Sequence, residues 1–220
     1  MEKLRLIAKG AEADLWLDPD WNGRKVLIKR RGEKRYRHPD LDRAIRRSRT
    51  IHEADIIHRA KGAGVPTPVL YQVDPSGATI IMQYVEGDKV RDIVSSLGND
   101  ERAELFRLIG VQAGRLHRSG IIHGDMTTSN MIRSEGTVVF VDFGLGELSS
   151  EAEKRGVDLH LMRRMLTSTH FEHADELFNA FEEGYRAAMG PDAEEALRRM
   201  REIERRGRYV ERENRVDGHG

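Results

Sequence analysis

His123-Gly124-Asp125-Met126-Thr127-Thr128-Ser129-Asn130, followed twelve residues later by Asp142-Phe143-Gly144, decides how the other parts of this 220-residue chain are read. Asp125 and Asn130 stand five positions apart, just after a helix predicted over Glu101–Arg118. Asp142 closes a buried-looking strand, Thr137-Val138-Val139-Phe140-Val141. A short hairpin, Met131–Arg133 and Val138–Val141 across Ser134-Glu135-Gly136, would bring Asp142 back beside Asn130. Phosphoryl transfer from ATP needs a carboxylate to orient the attacking hydroxyl and oxygen ligands for magnesium. One base and two metal ligands can therefore converge here. Either motif alone is an ordinary turn that ends a helix or a strand. Their order, spacing and element types together point to a site.

Upstream, Val26-Leu27-Ile28-Lys29 reads as an apolar strand ending in a lysine, whose ammonium could hold nucleotide phosphates. Glu53 lies in the following predicted helix, Leu41–Ala60, with Ile56 and Ile57 nearby. It is the candidate partner for Lys29, and Asp55 is its rival. Leu41, Ala44, Ile45, Ser48, Ile51 and Ile56 are expected to trace that helix's face. A phosphate loop should lie between the first two strands, predicted over Lys3–Ile7 and Asp14–Leu17. That stretch is Lys9-Gly10-Ala11-Glu12-Ala13. Asp18-Pro19-Asp20 and Asn22-Gly23 read as turns before a strand over Lys25–Arg30. Val69–Val73 and Thr79–Tyr84 read as a hairpin. Further helices are expected over Asp88–Ser96, Ser150–Thr167, Glu172–Ala188 and Asp192–Arg205, and a loose end over Val216–Gly220. The pattern is α+β: a small strand-rich amino-terminal lobe with one main helix (residues 1–85), joined near Val85–Asp88 to a reduced helical lobe with a basic tail (residues 86–220).

Cysteine is absent, which excludes disulfides and thiolate metal sites. No apolar run reaches the ~18–20 residues of a membrane span, and no signal peptide opens the chain, so a cytoplasmic protein is expected. Lys+Arg and Asp+Glu balance at 37 each, yet the charges are segregated. Arg24–Arg49 holds twelve basic and three acidic residues; Phe171–Glu195 holds eight acidic residues and one arginine. From Ala196 to the end there are eight arginines and five acids. Segregated charge sets local fields that the zero total conceals.

The chain resembles the protein-kinase fold. It is most similar to the small atypical kinase/ATPase subunit of the KEOPS (EKC) complex, the PRPK family. The resemblance rests on G-A-E-A at Gly10–Ala13, Glu53-Ala54, H-G-D-M-T-T-S-N at His123–Asn130 and V-D-F-G-L at Val141–Leu145. V-D-L-H at Val157–His160, S-T-H at Ser168–His170 and the basic Arg205-Arg206-Gly207-Arg208 also match. It implies ATP and Mg2+ as cofactors, with Lys9–Ala13 over the phosphates, Lys29 on them and Glu53 as its partner. Asp125 would be the catalytic base, and Asn130 and Asp142 the magnesium ligands. Met82, Gln83, Tyr84, Val85 and Glu86 would form the adenine-binding hinge, and Asp158 a buried anchor under the catalytic loop. The implied partners are the tRNA threonylcarbamoyl-transferase subunit, other KEOPS subunits and tRNA, with the basic segments as candidate tRNA contacts and no membrane. Gly124 in place of the H-R-D arginine, Thr127 in place of a lysine, and only fifteen residues between Asp142 and Asp158 argue against a normal activation segment. Small-molecule phosphotransferases of the aminoglycoside/choline-kinase type and RIO-type kinases of ribosome assembly are the competing readings.

Overall fold

The computed structural model describes the backbone of residues 4–216 and the side chains of residues 4–207. Past Val216, the expected loose end lies outside the described residues, as does the side chain of Arg208. A five-stranded antiparallel sheet opens the chain, in the order β1-β2-β3-β5-β4: β1 (Arg5–Lys9), β2 (Asp14–Trp21), β3 (Arg24–Arg30), β4 (Leu70–Asp74) and β5 (Thr79–Gln83). β2 runs straight through Asp18-Pro19-Asp20, where a turn was expected. Among the described residues its pairing with β1 runs no further than Leu17, so Pro19, lacking an N–H, takes no bond from a described partner on that side. Its ladder with β3 is irregular between Asp18 and Trp21. The reversal comes instead at Asn22-Gly23, both at positive φ, as a tight hairpin turn requires.

α1 (Pro39–Gly62) follows, and of the face that periodicity suggested it buries Ile56 and half-buries Ile45 but leaves Leu41, Ala44, Ser48 and Ile51 exposed. Leu41 and Ile51 are exposed, while Asp42, Thr50, Glu53, Ile56, Ile57 and Ala60 are buried. Only the last turns dock through apolar side chains. Further up, the buried face is polar, because basic side chains from outside the helix meet it: Arg37 at Asp42, and Lys29 and Arg31 at Glu53.

The second half carries β6 (Asp88–Lys89), α2 (Val90–Ile93), α3 (Asn99–Arg118), β7 (Ile121–Ile122), β8 (Met131–Ser134), β9 (Thr137–Phe140), β10 (Glu147–Leu148), α4 (Ala152–Thr169), α5 (Ala174–Met189) and α6 (Ala193–Val216). The helix expected over Asp88–Ser96 is broken. Its first two residues pair with β8, and its last three form a tight 3-10 turn. β6-β8-β9 make one small sheet and β7-β10 another, the latter unforeseen because each strand is only two residues long. α6 runs on beyond Arg205, the end expected for it. Among the described residues no helix is long and apolar enough to cross a membrane.

The core is one cluster that reaches from Ile56 and Ile57 of α1 into α3, α4, α5 and α6. α3 and α5 pack almost backbone to backbone. A Cβ on Gly184 would lie 1.9 Å from the Arg107 carbonyl oxygen, and one on Gly110 would lie 2.0 Å from that of Phe181. Neither carbonyl can swing aside without breaking its helix. Gly184→Ala is therefore expected to cost about 2–3 kcal/mol. That should lower Tm by about 4–12 °C, as measured by thermal unfolding.

Candidate active site

The H-G-D stretch follows β7 and is held from beneath by Asp158 of α4, which is fully buried. Its carboxylate accepts from the His123 N–H at 2.6 Å and the Gly124 N–H at 2.9 Å. It also meets His117 Nε2 at 3.3 Å, and His117 Nδ1 lies 2.9 Å from the Tyr185 hydroxyl. Burial opposes the charge on Asp158. His117 and the loop amide outweigh it, and the carboxyl is held below its ordinary range. This is the anchoring expected of Asp158. The same support fixes Asp125, whose main-chain oxygen and Oδ2 accept from Asn130 Nδ2 at 3.0 and 2.8 Å. With its nitrogen engaged there, Asn130 has its amide oxygen left for a ligand. The Val141 N–H bonds the Asn130 carbonyl at 2.9 Å, so the β8–β9 hairpin returns Asp142 beside Asn130 as the spacing predicted. Asp142 adopts φ +60°, a left-handed conformation costly for a residue with a side chain.

Lys29 reaches the same place from β3. Its Nζ donates to Glu53 Oε1 at 2.7 Å and to Asp142 Oδ1 at 2.8 Å. Burial works against its charge, but the two carboxylates prevail and its pKa is raised. Asp142 is shifted the opposite way: partial burial raises it, the Lys29 ammonium more than compensates, and its pKa is lowered. Glu53, 1% exposed, is the inward carboxylate; its rival Asp55 pairs with Arg59. One cation went unnoticed in the sequence. Arg31, 3% exposed, donates to Glu53 Oε2 at 2.5 Å. Its signal was its place two residues after Lys29, which puts it on the same side of an extended chain.

Two adjoining cavities make up the cleft. One, of about 340 Å³, is lined by Lys9, Gly10, Ala11, Glu12 and Ala13 together with Lys29, Arg31, Asp125 and Asp142. The Lys9–Ala13 loop closes on itself through the Gly10 N–H and the Ala13 carbonyl at 3.0 Å. It is tied to the basic segment by Lys34 on the Ala11 carbonyl and by an Arg49–Glu12 ion pair. The other cavity, of about 300 Å³, is mainly apolar. It is lined by Met82, Gln83, Tyr84 and Val85 among others, and reaches Lys29, Glu53, Asn130 and Asp142. Glu86 is placed differently: its side chain is exposed and pairs with Lys25 at 2.6 Å, outside both cavities. The donor set suits a hard cation, since an Asp carboxylate and an Asn amide oxygen leave most positions to water and phosphate, as magnesium prefers.

The glycine of H-G-D has a structural reason. Gly124 sits at φ +79°, and a Cβ there would stand 2.1 Å from the Leu145 carbonyl oxygen. The chain after Asp142-Phe143-Gly144 lies directly on the loop, pairs as β10 with β7, and enters α4. The loop is further tied through the buried Thr128, whose hydroxyl contacts Met165 Sδ at 3.2 Å and His170 Nε2 at 3.4 Å.

The basic stretch Arg24–Arg49 is mostly occupied within the molecule. Lys25, Lys29, Arg31, Arg37, Arg43, Arg46 and Arg49 each pair with a carboxylate. Among the described residues, Arg24, Arg30, Lys34, Arg35 and Arg47 make no ion pair, though Arg24 lies over the Tyr71 ring and Lys34 donates to the Ala11 carbonyl. In α6, Arg198 and Arg199 pair with Glu202, Arg201 with Glu182, and Arg206 with Glu153.

A sheet-plus-helix fold with a lysine–glutamate pair, H-G-D and D-F-G around one cleft defines a protein-kinase-like phosphotransferase. Comparison with known proteins agrees. Residues 22–146 match the RIO domain family. A KEOPS complex subunit Bud32 from Pyrococcus abyssi is 44% identical over 216 residues, spanning 95% of this chain and 98% of that protein. A probable serine/threonine-protein kinase BUD32 homolog from Archaeoglobus fulgidus is 44% identical over 187 residues, 85% of this chain and 90% of the relative. A probable bifunctional tRNA threonylcarbamoyladenosine biosynthesis protein from Methanothermobacter thermautotrophicus is 48% identical over 94% of this chain, which covers 37% of that longer protein. Among solved structures, a Rio2 kinase–ADP/Mg2+–phosphoaspartate complex from Chaetomium thermophilum has a TM-score of 0.63 at 20% identity, over 92% of this chain and 71% of that one. The chain belongs to the Bud32 family of RIO-domain kinases.

His123, fully buried against Phe140 and Phe143, has its pKa lowered by burial, and burial lowers His160 and His170 too. The unfolded chain takes up these protons as pH falls through about 6.5, while the folded chain does not until lower pH. Stability should therefore fall on acidification from pH 7.5 to 5.5, by up to about 1.4 kcal/mol per pH unit for each histidine. Urea midpoints at the two pH values check this; a midpoint that rises on acidification contradicts it.

Proposed function

We propose that this chain is a magnesium-dependent, ATP-hydrolysing atypical serine/threonine kinase that works as a KEOPS subunit and supports threonylcarbamoyladenosine modification of tRNA. Its alignment over nearly the full length of the Pyrococcus Bud32 subunit carries the reading. The bifunctional relatives support a working link to the modification itself, since a domain like this chain occurs there within a longer tRNA threonylcarbamoyladenosine biosynthesis protein. Other KEOPS subunits, the threonylcarbamoyl-transferase subunit among them, are the proposed partners, with tRNA contacted by α6 and by the unpaired arginines of the first lobe. The division at residues 85/86 and a cytoplasmic location belong to the same reading.

In this reading the apolar cavity takes the adenine against Met82–Glu86, Glu86 contributing through its main chain. The Lys9–Ala13 loop covers the phosphates, and Lys29, oriented by Glu53, binds them. Asn130 and Asp142 would hold magnesium, which would supply positive charge to offset that of the phosphates. Asp125, fixed by Asn130, orients the attacking hydroxyl or water and accepts its proton. Positioning and electrostatics carry this chemistry. The short run from Asp142 to α4 leaves no platform for an extended peptide, which favours a restricted acceptor or water.

Asp142→Ala is expected to lower magnesium-dependent ATP turnover about 10²-fold or more, measured with the transferase partner present. Its circular dichroism and Tm should stay close to those of the wild type, because Lys29 keeps Glu53. Full turnover in that variant would overturn the site assignment.

A further inference from the structure

Glu53 is a buried carboxylate with two cations of its own. Lys29 meets Oε1 and Arg31 meets Oε2. The Arg31 N–H bonds the Ala78 carbonyl at 3.0 Å, carrying the β3–β5 ladder one residue beyond the strand and turning Arg31 to the Lys29 side. Arg31 also approaches the Thr50 hydroxyl at 3.4 Å. Lys29 is divided, because it holds Asp142 as well as Glu53. The four groups form an alternating row, Asp142–Lys29–Glu53–Arg31, with no net charge.

The nucleotide site proposed above disturbs this row, and the inference rests on that reading. Asp142 must turn to the divalent cation and Lys29 to the polyphosphate. Were Lys29 the sole partner of Glu53, Oε2 would have no cation and the one ammonium would be shared between phosphate and a buried carboxylate, which is unfavourable. Arg31 removes that conflict. Its planar fork is rigid and always charged, whereas the lysine ammonium sits on a flexible stem and redistributes three donors. We propose that Arg31 is a positioning residue for nucleotide: it keeps Glu53 satisfied and α1 docked, and so leaves Lys29 free to bind the polyphosphate.

The test is calorimetric titration of the full chain with Mg·ADP, comparing wild type, Arg31→Met, Arg31→Lys, Glu53→Gln and the Arg31→Met/Glu53→Gln double variant. Arg31→Met is expected to weaken binding about tenfold although Lys29, Asn130 and Asp142 are intact. Arg31→Lys, which keeps a cation but not the rigid fork, should recover part of that loss. In the Glu53→Gln background, Arg31→Met should have little further effect, since no carboxylate then competes for Lys29. In ATP turnover the cost of Arg31→Met should appear in KM, with kcat within about threefold. Wild-type affinity in Arg31→Met, or an equal loss with and without Glu53, overturns the proposal. Hydrogen exchange on wild-type protein needs no variant: α1 amides around Glu53 should be as protected with Mg·ADP as without it. Faster exchange on binding would overturn the proposal. Failure of the wild-type chain to bind Mg·ADP at all would instead overturn the phosphotransferase reading, and this proposal with it.

Discussion

Asp158 lies fully buried on α4 with both carboxylate oxygens engaged by the loop that carries Asp125, and the cleft takes its shape from that contact. A carboxylate removed from water is costly unless every lone pair finds a donor. Here the donors are two successive backbone amides and a histidine, so loop geometry and the stability of the charge are the same fact. The loop cannot shift without exposing an unsatisfied anion in the core. From that fixed point, Asp125 holds Asn130, Asn130 meets Val141, and Asp142 is delivered to Lys29. The chain of contacts crosses the cleft and ends on β3 and α1.

Much of this was legible because the chemistry is written in short local spacings. Asp125 and Asn130 share one loop, the hairpin behind them is brief, and Asp142 had only one place to return to. The Lys29–Glu53 pair was readable from a strand-end lysine and an inward carboxylate. What escaped reading followed from tertiary partners. α1 buries Asp42 and Thr50 where periodicity favoured Leu41 and Ile51, because arginines from outside the helix reach them. Asp18-Pro19-Asp20 has turn residues yet stays in a strand, because β3 pairs with it on either side, at Asp18 and Trp21. Two-residue strands such as β7 and β10 carry no pattern at all. Arg31 looked like one more member of a basic run, and only its burial separates it from the others.

That burial also changes the meaning of the charge segregation. Most of the cations between Arg24 and Arg49 hold the first lobe together. They seat α1, brace the Lys9–Ala13 loop and satisfy Glu53. Arg198, Arg199, Arg201 and Arg206 of α6 are similarly engaged with acids on α4, α5 and α6 itself. A net-positive stretch of sequence is thus largely an internal scaffold. Among the described residues of the Arg24–Arg49 run, those without a carboxylate partner are a minority: Arg24, Arg30, Lys34, Arg35 and Arg47.

Gly124 and the short path after Gly144 also constrain how such a sequence can change. The Leu145 carbonyl occupies the space where a side chain at position 124 would begin. An arginine there is inaccessible by point substitution until an insertion lifts the 145–151 stretch away. An insertion alone would unpair β10 from β7 while giving nothing in return. The two features therefore lock each other like the teeth of a ratchet. Each half of the change is harmful by itself, so the glycine and the short segment stand or fall together.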